Sequence, residues 1–215
     1  MCKTVLLGQE KITIMNSLSI GSNLHGYNDN RKDIINKVLC DHSFVLVQEH
    51  WLHNNQLNIF NSLNNVCFHA VSGMPSNDLL SGRHYGGCAI IWKSSFKCKI
   101  EPVTFQSNRL CGVIVSGDYI SSPILLVSVY MPTDSTYDRA NANEYNAVLN
   151  EITRLGMDLN ISSTIIGGDF NTDLGRNESL HTKELNTVCH NNSLIPWLNC
   201  IPNSIDFTFE SMVDG

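Results

Sequence analysis

Several short, largely apolar runs constrain the fold of this chain more than any other feature of its sequence. Runs of this kind are typical of strands that are buried on both faces. They lie in segments 44–48, 86–92, 110–117, 124–130 and 163–171. Shorter β-compatible segments lie at 17–22 and 97–103, and Pro102 predicts that the second of these is at the edge or end of a strand.

Three amphipathic segments alternate with these strands. Apolar residues recur at steps of three and four in 31–40, 140–156 and 182–192, which predicts helices, and Gly156 is the predicted stop of the longest one. This order of strands and helices favours an α/β sandwich, in which two mixed sheets pack face to face with helices outside. We assign residues 1–14 to an N-terminal extension and residues 15–215 to one domain.

The composition fits one domain of 215 residues, of which 42% are apolar. No stretch approaches the roughly 20 apolar residues of a membrane span, and no signal peptide is evident at the N-terminus. None of the eight cysteines forms a C-x-x-C pair, and several lie in apolar runs. We therefore expect free thiols in a reducing compartment, with the protein nuclear or cytoplasmic rather than secreted, and we infer no obligate protein partner.

The formal net charge of −6 argues against a general nucleic-acid coat protein, because affinity for phosphates usually needs a basic surface. A nuclease that uses a bound cation tolerates this charge, since the cation supplies positive charge at the scissile phosphate.

Polar residues at the ends of the apolar strands are the candidate functional residues: Asn23, Glu49, Tyr130, Asp169 and Asn171. A hard cation such as Mg²⁺ prefers carboxylate oxygens, and Glu49 offers one. Asp169 has the chemistry to orient or deprotonate an attacking water. The amides of Asn171 and Asn23, and the Tyr130 hydroxyl, are suited to donating hydrogen bonds to phosphate oxygens.

Each of these residues also has a simpler interpretation. Glu49 fits a solvated loop acid, Asp169 a turn residue, and Asn23 a turn or helix cap. Tyr130 fits an aromatic residue at a strand end. It is the ordered set, with every member at the end of an apolar strand, that favours a phosphoryl-transfer site. We expect all five side chains to lie on one rim of the sandwich.

The motifs NLHG, VQEHWL, SVYMP and GGDFN, in this order, resemble those of the endonuclease/exonuclease/phosphatase superfamily. GRHYGGCAIIW and FTFES are similar to segments of the endonuclease domains of LINE-type (non-LTR) retrotransposons. The resemblance covers about residues 15–211. It implies a four-layer, DNase I-like α/β sandwich and a metal-dependent phosphodiesterase that acts on DNA with Mg²⁺ or Mn²⁺.

The resemblance also implies roles for individual residues. Glu49 and Asn23 would hold the metal, and Asp169 would position the attacking water. Tyr130 and Asn171 would contact the phosphate. Further substrate contacts are expected from His25, Arg83 and Thr208.

One departure from the family pattern concerns its late Asp and His motifs. No Ser-Asp-His occurs in the sequence, so we expect a domain that lacks its last strands. In that case His25 or His50 would be the alternative source of an acid–base group. Two other functions therefore stay open beside the DNA endonuclease. One is a phosphatase of the same superfamily that acts on a phosphoinositide or sphingolipid headgroup, and the other is an inactive remnant.

Overall fold

The chain forms two β-sheets in the computed structural model, which describes residues 2–7, 10–15, 26–74, 85–118, 120–134, 139–172 and 179–194. The first sheet has the order β1-β2-β3-β5-β4. Its strands are β1 (Cys2–Leu7), β2 (Glu10–Met15), β3 (Phe44–Gln48), β4 (Val66–Val71) and β5 (Cys88–Lys93). The second has the order β6-β7-β8-β9. Its strands are β6 (Lys99–Val103), β7 (Leu110–Ser116), β8 (Ile124–Tyr130) and β9 (Ser163–Asp169).

Both sheets are mixed. Strand β2 is parallel to β3 and β8 is parallel to β9, whereas the other described pairs are antiparallel. Helix α1 (Asp29–Asp41) connects β2 to β3, and helix α2 (Arg139–Asp158) connects β8 to β9. Parallel neighbours need a long crossover connection of this kind, which is usually a helix. A 3-10 helix (Asn54–Ser62) precedes β4, and α3 (Leu180–Asn191) follows β9.

Three hydrophobic clusters hold the helices and sheets together in layers. The first lies between the sheets and includes Phe44, Leu46, Ile90 and Leu126. The second packs α2 and α3 against the outer face of the second sheet. The third packs α1 and the 3-10 helix against the outer face of the first sheet. The predicted four-layer sandwich of two mixed sheets with helices outside is confirmed.

Strand β3 shows how the sequence positions the site. Phe44 and Leu46 face the second sheet, whereas Val45 and Val47 face α1. All four are buried, which explains the continuous apolar run. The same alternation places the side chain of Gln48 between the two sheets, directly before Glu49.

Some predicted boundaries differ from the structure. Helix α2 continues past Gly156 to Asp158, because Gly156 keeps an ordinary backbone conformation that does not end a helix. Strand β4 was not predicted, because its residues alternate poorly and most are partly exposed. Pro102 does lie in the edge strand β6. The predicted strand at 17–22 lies outside the described residues, and the boundary of an extension at residue 15 stays a prediction, although β2 pairs with β3.

The six cysteines whose side chains the structure describes are free thiols, as expected: Cys40, Cys67, Cys88, Cys98, Cys111 and Cys189. Within the described part of the chain, no helix has the length and apolar character needed to span a membrane.

Candidate active site

Three of the predicted site residues converge on one rim of the sandwich. Glu49 follows β3 of the first sheet, and Tyr130 ends β8 of the second. Asp169 ends β9 and is the register partner of Tyr130, because β8 and β9 run parallel. The site is therefore divided between two sheets, with one carboxylate on each.

Glu49 and Tyr130 interact across the two sheets. The Glu49 side chain lies near the Tyr130 hydroxyl and affects its pKa both by hydrogen bonding and by its charge. Burial raises the pKa of Tyr130 above its ordinary value, and so do this bond and the negative charges of Glu49 and Asp169, against the opposing charge of Arg109. Tyr130 therefore stays protonated at neutral pH and acts as a hydrogen-bond donor within the site.

The loop after β9 is tied to the loop after β8. The Asp169 carbonyl accepts a bond from the Met131 N–H at 2.8 Å, and its Oδ1 accepts one from the Asn171 N–H at 3.0 Å. The Asn171 amide donates to the Met131 carbonyl at 2.7 Å. Asn171 has a φ of +46°, a left-handed conformation that asparagine tolerates. Asn171 thus lies in the loop next to these three residues, and one of its two amide N–H groups serves to hold that loop.

His50 holds the backbone that presents Glu49. Glu49 and Trp51 both have left-handed backbone conformations, with φ of +54° and +57°. The His50 ring is buried; its Nδ1 accepts from the Leu52 N–H at 3.0 Å, and its Nε2 lies 3.1 Å from the Val71 carbonyl, to which it donates. Burial lowers the pKa of His50 to about 4, so the ring is neutral at physiological pH. Both nitrogens have structural partners, and the expectation that His50 supplies an acid–base group is not supported.

Gly87 makes room for this histidine. It has a φ of +92°, and a Cβ at this position would overlap the His50 ring. We expect Gly87→Ala to lower the free energy of unfolding by at least about 1–3 kcal/mol, because the alanine would be strained and would displace the ring. Urea denaturation measures this loss. Gly156→Ala is the matched control, since a Cβ at this position in α2 would meet Thr164 and Ile161 only at ordinary van der Waals distances, and it should leave stability unchanged or raise it by up to about 1 kcal/mol. A Gly87→Ala protein as stable as the wild type would contradict this packing.

Two arginines near the site were not predicted from the sequence. The Arg109 Nε donates to Glu144 at 2.6 Å, its Nη1 lies 3.4 Å from the Tyr130 carbonyl, and its guanidinium carbon lies 5.8 Å from the centre of the Tyr130 ring. Arg31, in the first turn of α1, interacts electrostatically with Glu49. Burial lowers the pKa of Arg31, and the charge of Glu49 opposes this effect.

A sequence signal for Arg109 did exist. It directly precedes the apolar strand β7, and β7 is antiparallel to β8, with Leu110 opposite Val129. The start of β7 therefore lies on the same rim as the end of β8. A pattern of polar residues that end or follow strands does not include Arg109, because Arg109 precedes its strand.

The donor atoms at this rim fit a hard cation. Mg²⁺ is usually bound through one or two carboxylates and keeps several waters. The negative charges of Glu49 and Asp169 both act on Tyr130, so both carboxylates lie in its neighbourhood. Within the described ranges, no group of three or more His, Cys, Asp and Glu side chains is arranged to hold a metal ion. The predicted residues that lie outside the described residues are Asn23, His25, Arg83 and Thr208.

Comparison with known proteins gives one family and a set of similar folds. The endonuclease/exonuclease/phosphatase family pattern matches residues 20–209. The endonuclease domain of TRAS1, a telomere-specific non-LTR retrotransposon, superposes with a TM-score of 0.57 at 12% identity, over 84% of this chain and 71% of that one. The AP endonuclease LMAP from Leishmania major gives 0.59 at 14% identity, over 84% and 66%.

A third similar structure is the 3′ phosphatase NExo from Neisseria, bound to a product DNA hairpin. It gives a TM-score of 0.56 at 12% identity, over 84% of this chain and 70% of that one. At these identities the likeness establishes the fold alone. Comparison with curated proteins gives no match.

Proposed function

Because this chain belongs to the endonuclease/exonuclease/phosphatase family, we propose that it is a metal-dependent phosphodiesterase that nicks DNA. The observation that supports this most is the site divided between two sheets. Glu49 of the first sheet interacts with Tyr130 of the second, with Asp169 in register beside Tyr130. Two carboxylates and a protonated phenol at one rim are suited to the hydrolysis of a phosphodiester, because they can activate a water and donate a hydrogen bond to the phosphate.

In this proposal Glu49 and Asn23 would hold Mg²⁺ or Mn²⁺, which when bound would supply positive charge to stabilise the phosphate. Asp169 orients a water and takes its proton as the water oxygen attacks phosphorus. The bond from phosphorus to the leaving oxygen breaks, and that oxygen takes a proton from solvent. The Tyr130 hydroxyl and the Asn171 amide stabilise the charge that builds on the phosphate oxygens. His25, Arg83 and Thr208 are proposed to contact the substrate.

The functions of the similar structures support two further parts of the proposal, which are that the substrate is DNA and that the chain originates from a retroelement. They include an endonuclease domain of a non-LTR retrotransposon, an AP endonuclease, and a 3′ phosphatase bound to DNA. Arg31 and Arg109 place positive charge near the site despite the net charge of −6. We propose a nuclear or cytoplasmic location rather than secretion, in keeping with the free thiols.

The test is to incubate the purified chain with supercoiled plasmid and with Mg²⁺ or Mn²⁺. We expect conversion to the nicked circle that stops when EDTA is added. Release of phosphate from inositol phosphates, measured in parallel, tests the alternative phosphatase. Phosphate release without nicking would assign the chain to that alternative. Absence of both activities, at metal concentrations that saturate the protein, would show an inactive remnant.

A further inference from the structure

The division of the site between two sheets makes their relative position important. Glu49 belongs to the first sheet, whereas Tyr130 and Asp169 belong to the second. A shift of one sheet along the other would change the distance from Glu49 to both partners. Something must therefore fix the offset between the sheets at this rim.

Apolar packing alone fixes an offset poorly, because the hydrophobic effect has no directional preference. The buried core between the sheets consists of apolar or cysteine side chains: Phe44, Leu46, Cys88, Ile90, Cys111, Val113, Val115 and Leu126. On the same faces, but next to the site, lie two buried polar side chains, Gln48 and Ser128. Gln48 directly precedes Glu49, and Ser128 is two residues before Tyr130.

These two side chains join the sheets. The Gln48 Nε2 donates to the Ser128 Oγ at 2.9 Å. The Ser128 hydroxyl in turn donates to the Val47 carbonyl at 3.2 Å. Each side chain is 0% exposed, so both bonds lie in an interior where they are stronger and more directional than in water.

Two further bonds cross the sheets near this rim. The Cys88 thiol, protonated because burial raises its pKa to about 12, donates to the Arg109 carbonyl at 3.3 Å. The Asn108 amide donates to the Gly73 carbonyl at 3.0 Å. Cys88 is the register partner of Gln48, so these bonds reinforce the same region.

If Gln48 only filled the core, an apolar side chain of the same shape would give a more stable protein. Its Oε1 is buried and has no hydrogen-bond partner among the described residues. A buried acceptor without a partner costs about 1–3 kcal/mol, which an apolar side chain of the same shape would not. A buried polar group that lowers stability but adds directional bonds is expected where a specific geometry matters.

We propose that Gln48 and Ser128 are positioning residues, whose hydrogen bond sets the offset between the sheets and thereby holds Glu49 against Tyr130. Their catalytic importance rests on the proposed function, but the geometric effect does not. Neither residue touches the substrate. Both act through the placement of Glu49 relative to Tyr130 and Asp169.

The experiment places 3-fluorotyrosine at position 130 and measures its ¹⁹F chemical shift, which reports on the hydrogen bond of the hydroxyl. Glu49→Ala, which removes the acceptor, gives the reference shift. Gln48→Met, which keeps the shape but removes the donor, and Ser128→Ala are both expected to move the resonance toward that reference. If Ser128→Ala fails to fold, the nearly isosteric Gln48→Met decides.

Val115→Ala is the matched control. Val115 is buried in the same core, opposite Ile124 at the far end of β8. Its truncation should lower the free energy of unfolding by creating a cavity, yet leave the Tyr130 resonance in place. In the nicking assay, Gln48→Met and Ser128→Ala should lower kcat by up to about 10²-fold with KM for DNA unchanged, as expected for misplaced catalytic groups.

The outcomes separate the two proposals. A Tyr130 resonance that is unchanged in both folded variants, or that moves as far in Val115→Ala, would overturn the positioning role even if the chain nicks DNA. A resonance that does not respond to Glu49→Ala would overturn it as well. A chain that nicks no DNA, but whose resonance moves as expected, would overturn the proposed function and leave the positioning role supported.

Discussion

Replacing Asp169 with asparagine is expected to lower the rate of plasmid nicking by about 10²–10⁴-fold, the usual contribution of a positioned general base. Asparagine keeps the shape of the side chain and a carbonyl oxygen, so the bond from the Asn171 N–H to Oδ1 is retained. What is lost is the negative charge and the ability to take a proton from the attacking water. The loss should therefore appear in kcat, with little change in KM for DNA.

Asp118→Asn is the control for this prediction. Asp118 is exposed in the turn between β7 and β8, before Ile124, and so lies at the opposite end of β8 from Tyr130. The Asp118→Asn substitution removes one negative charge, as Asp169→Asn does, but at a position away from the site, so the rate of nicking should be unaffected. If Asp169→Asn nicked plasmid as fast as Asp118→Asn, the water-activating role of Asp169 would have to be abandoned.

Replacing Glu49 with glutamine is expected to remove the stabilisation of the protein by Mg²⁺ or Mn²⁺. A bound ion stabilises the folded state by mass action, by about 2.7 kcal/mol at a concentration one hundred times its Kd. Glutamine keeps an acceptor for the Tyr130 hydroxyl but loses the charge that a hard cation prefers. The wild-type melting temperature should rise steadily with metal concentration, whereas that of Glu49→Gln should stay nearly constant.

Glu101→Gln is the matched control, since Glu101 is exposed on the edge strand β6, where it pairs with Lys99 at 2.8 Å. It removes one carboxylate far from the rim and should respond to metal as the wild type does. Equal melting shifts in Glu49→Gln and the wild type would show that the ion binds elsewhere. Nicking by Glu49→Gln should be lost together with the metal response, because both depend on the same carboxylate.

Much of the fold was predictable from the sequence because buried segments are recognisable by the local pattern of their apolar residues. Strands β3 and β8 are covered on both faces, so nearly every residue in them is apolar. Strand β4 was missed for the opposite reason, since it is only partly covered and its residues show neither alternation nor a continuous run. Helix α2 shows its buried face at steps of three and four, with Tyr145, Val148, Leu149 and Ile152 buried against the second sheet.

The candidate site was partly predictable for a related reason. Polar residues recur in order at the ends of buried strands, and this recurrence singled out Glu49, Tyr130 and Asp169, which the structure brings together. Arg109 needed knowledge of strand direction. It precedes its strand and reaches the rim only because β7 runs antiparallel to β8.

By itself, the sequence determined which segments are buried strands and helices, and which polar residues lie at their ends, because burial selects residue type position by position. Only the tertiary structure decided which groups meet. Gln48 and Ser128 are 80 positions apart, and His50 reaches Val71 in another strand. The Gln48–Ser128 bond depends on how the two sheets are placed against each other, and the His50–Val71 bond depends on which strands lie side by side in the first sheet. No local pattern of residues records either arrangement.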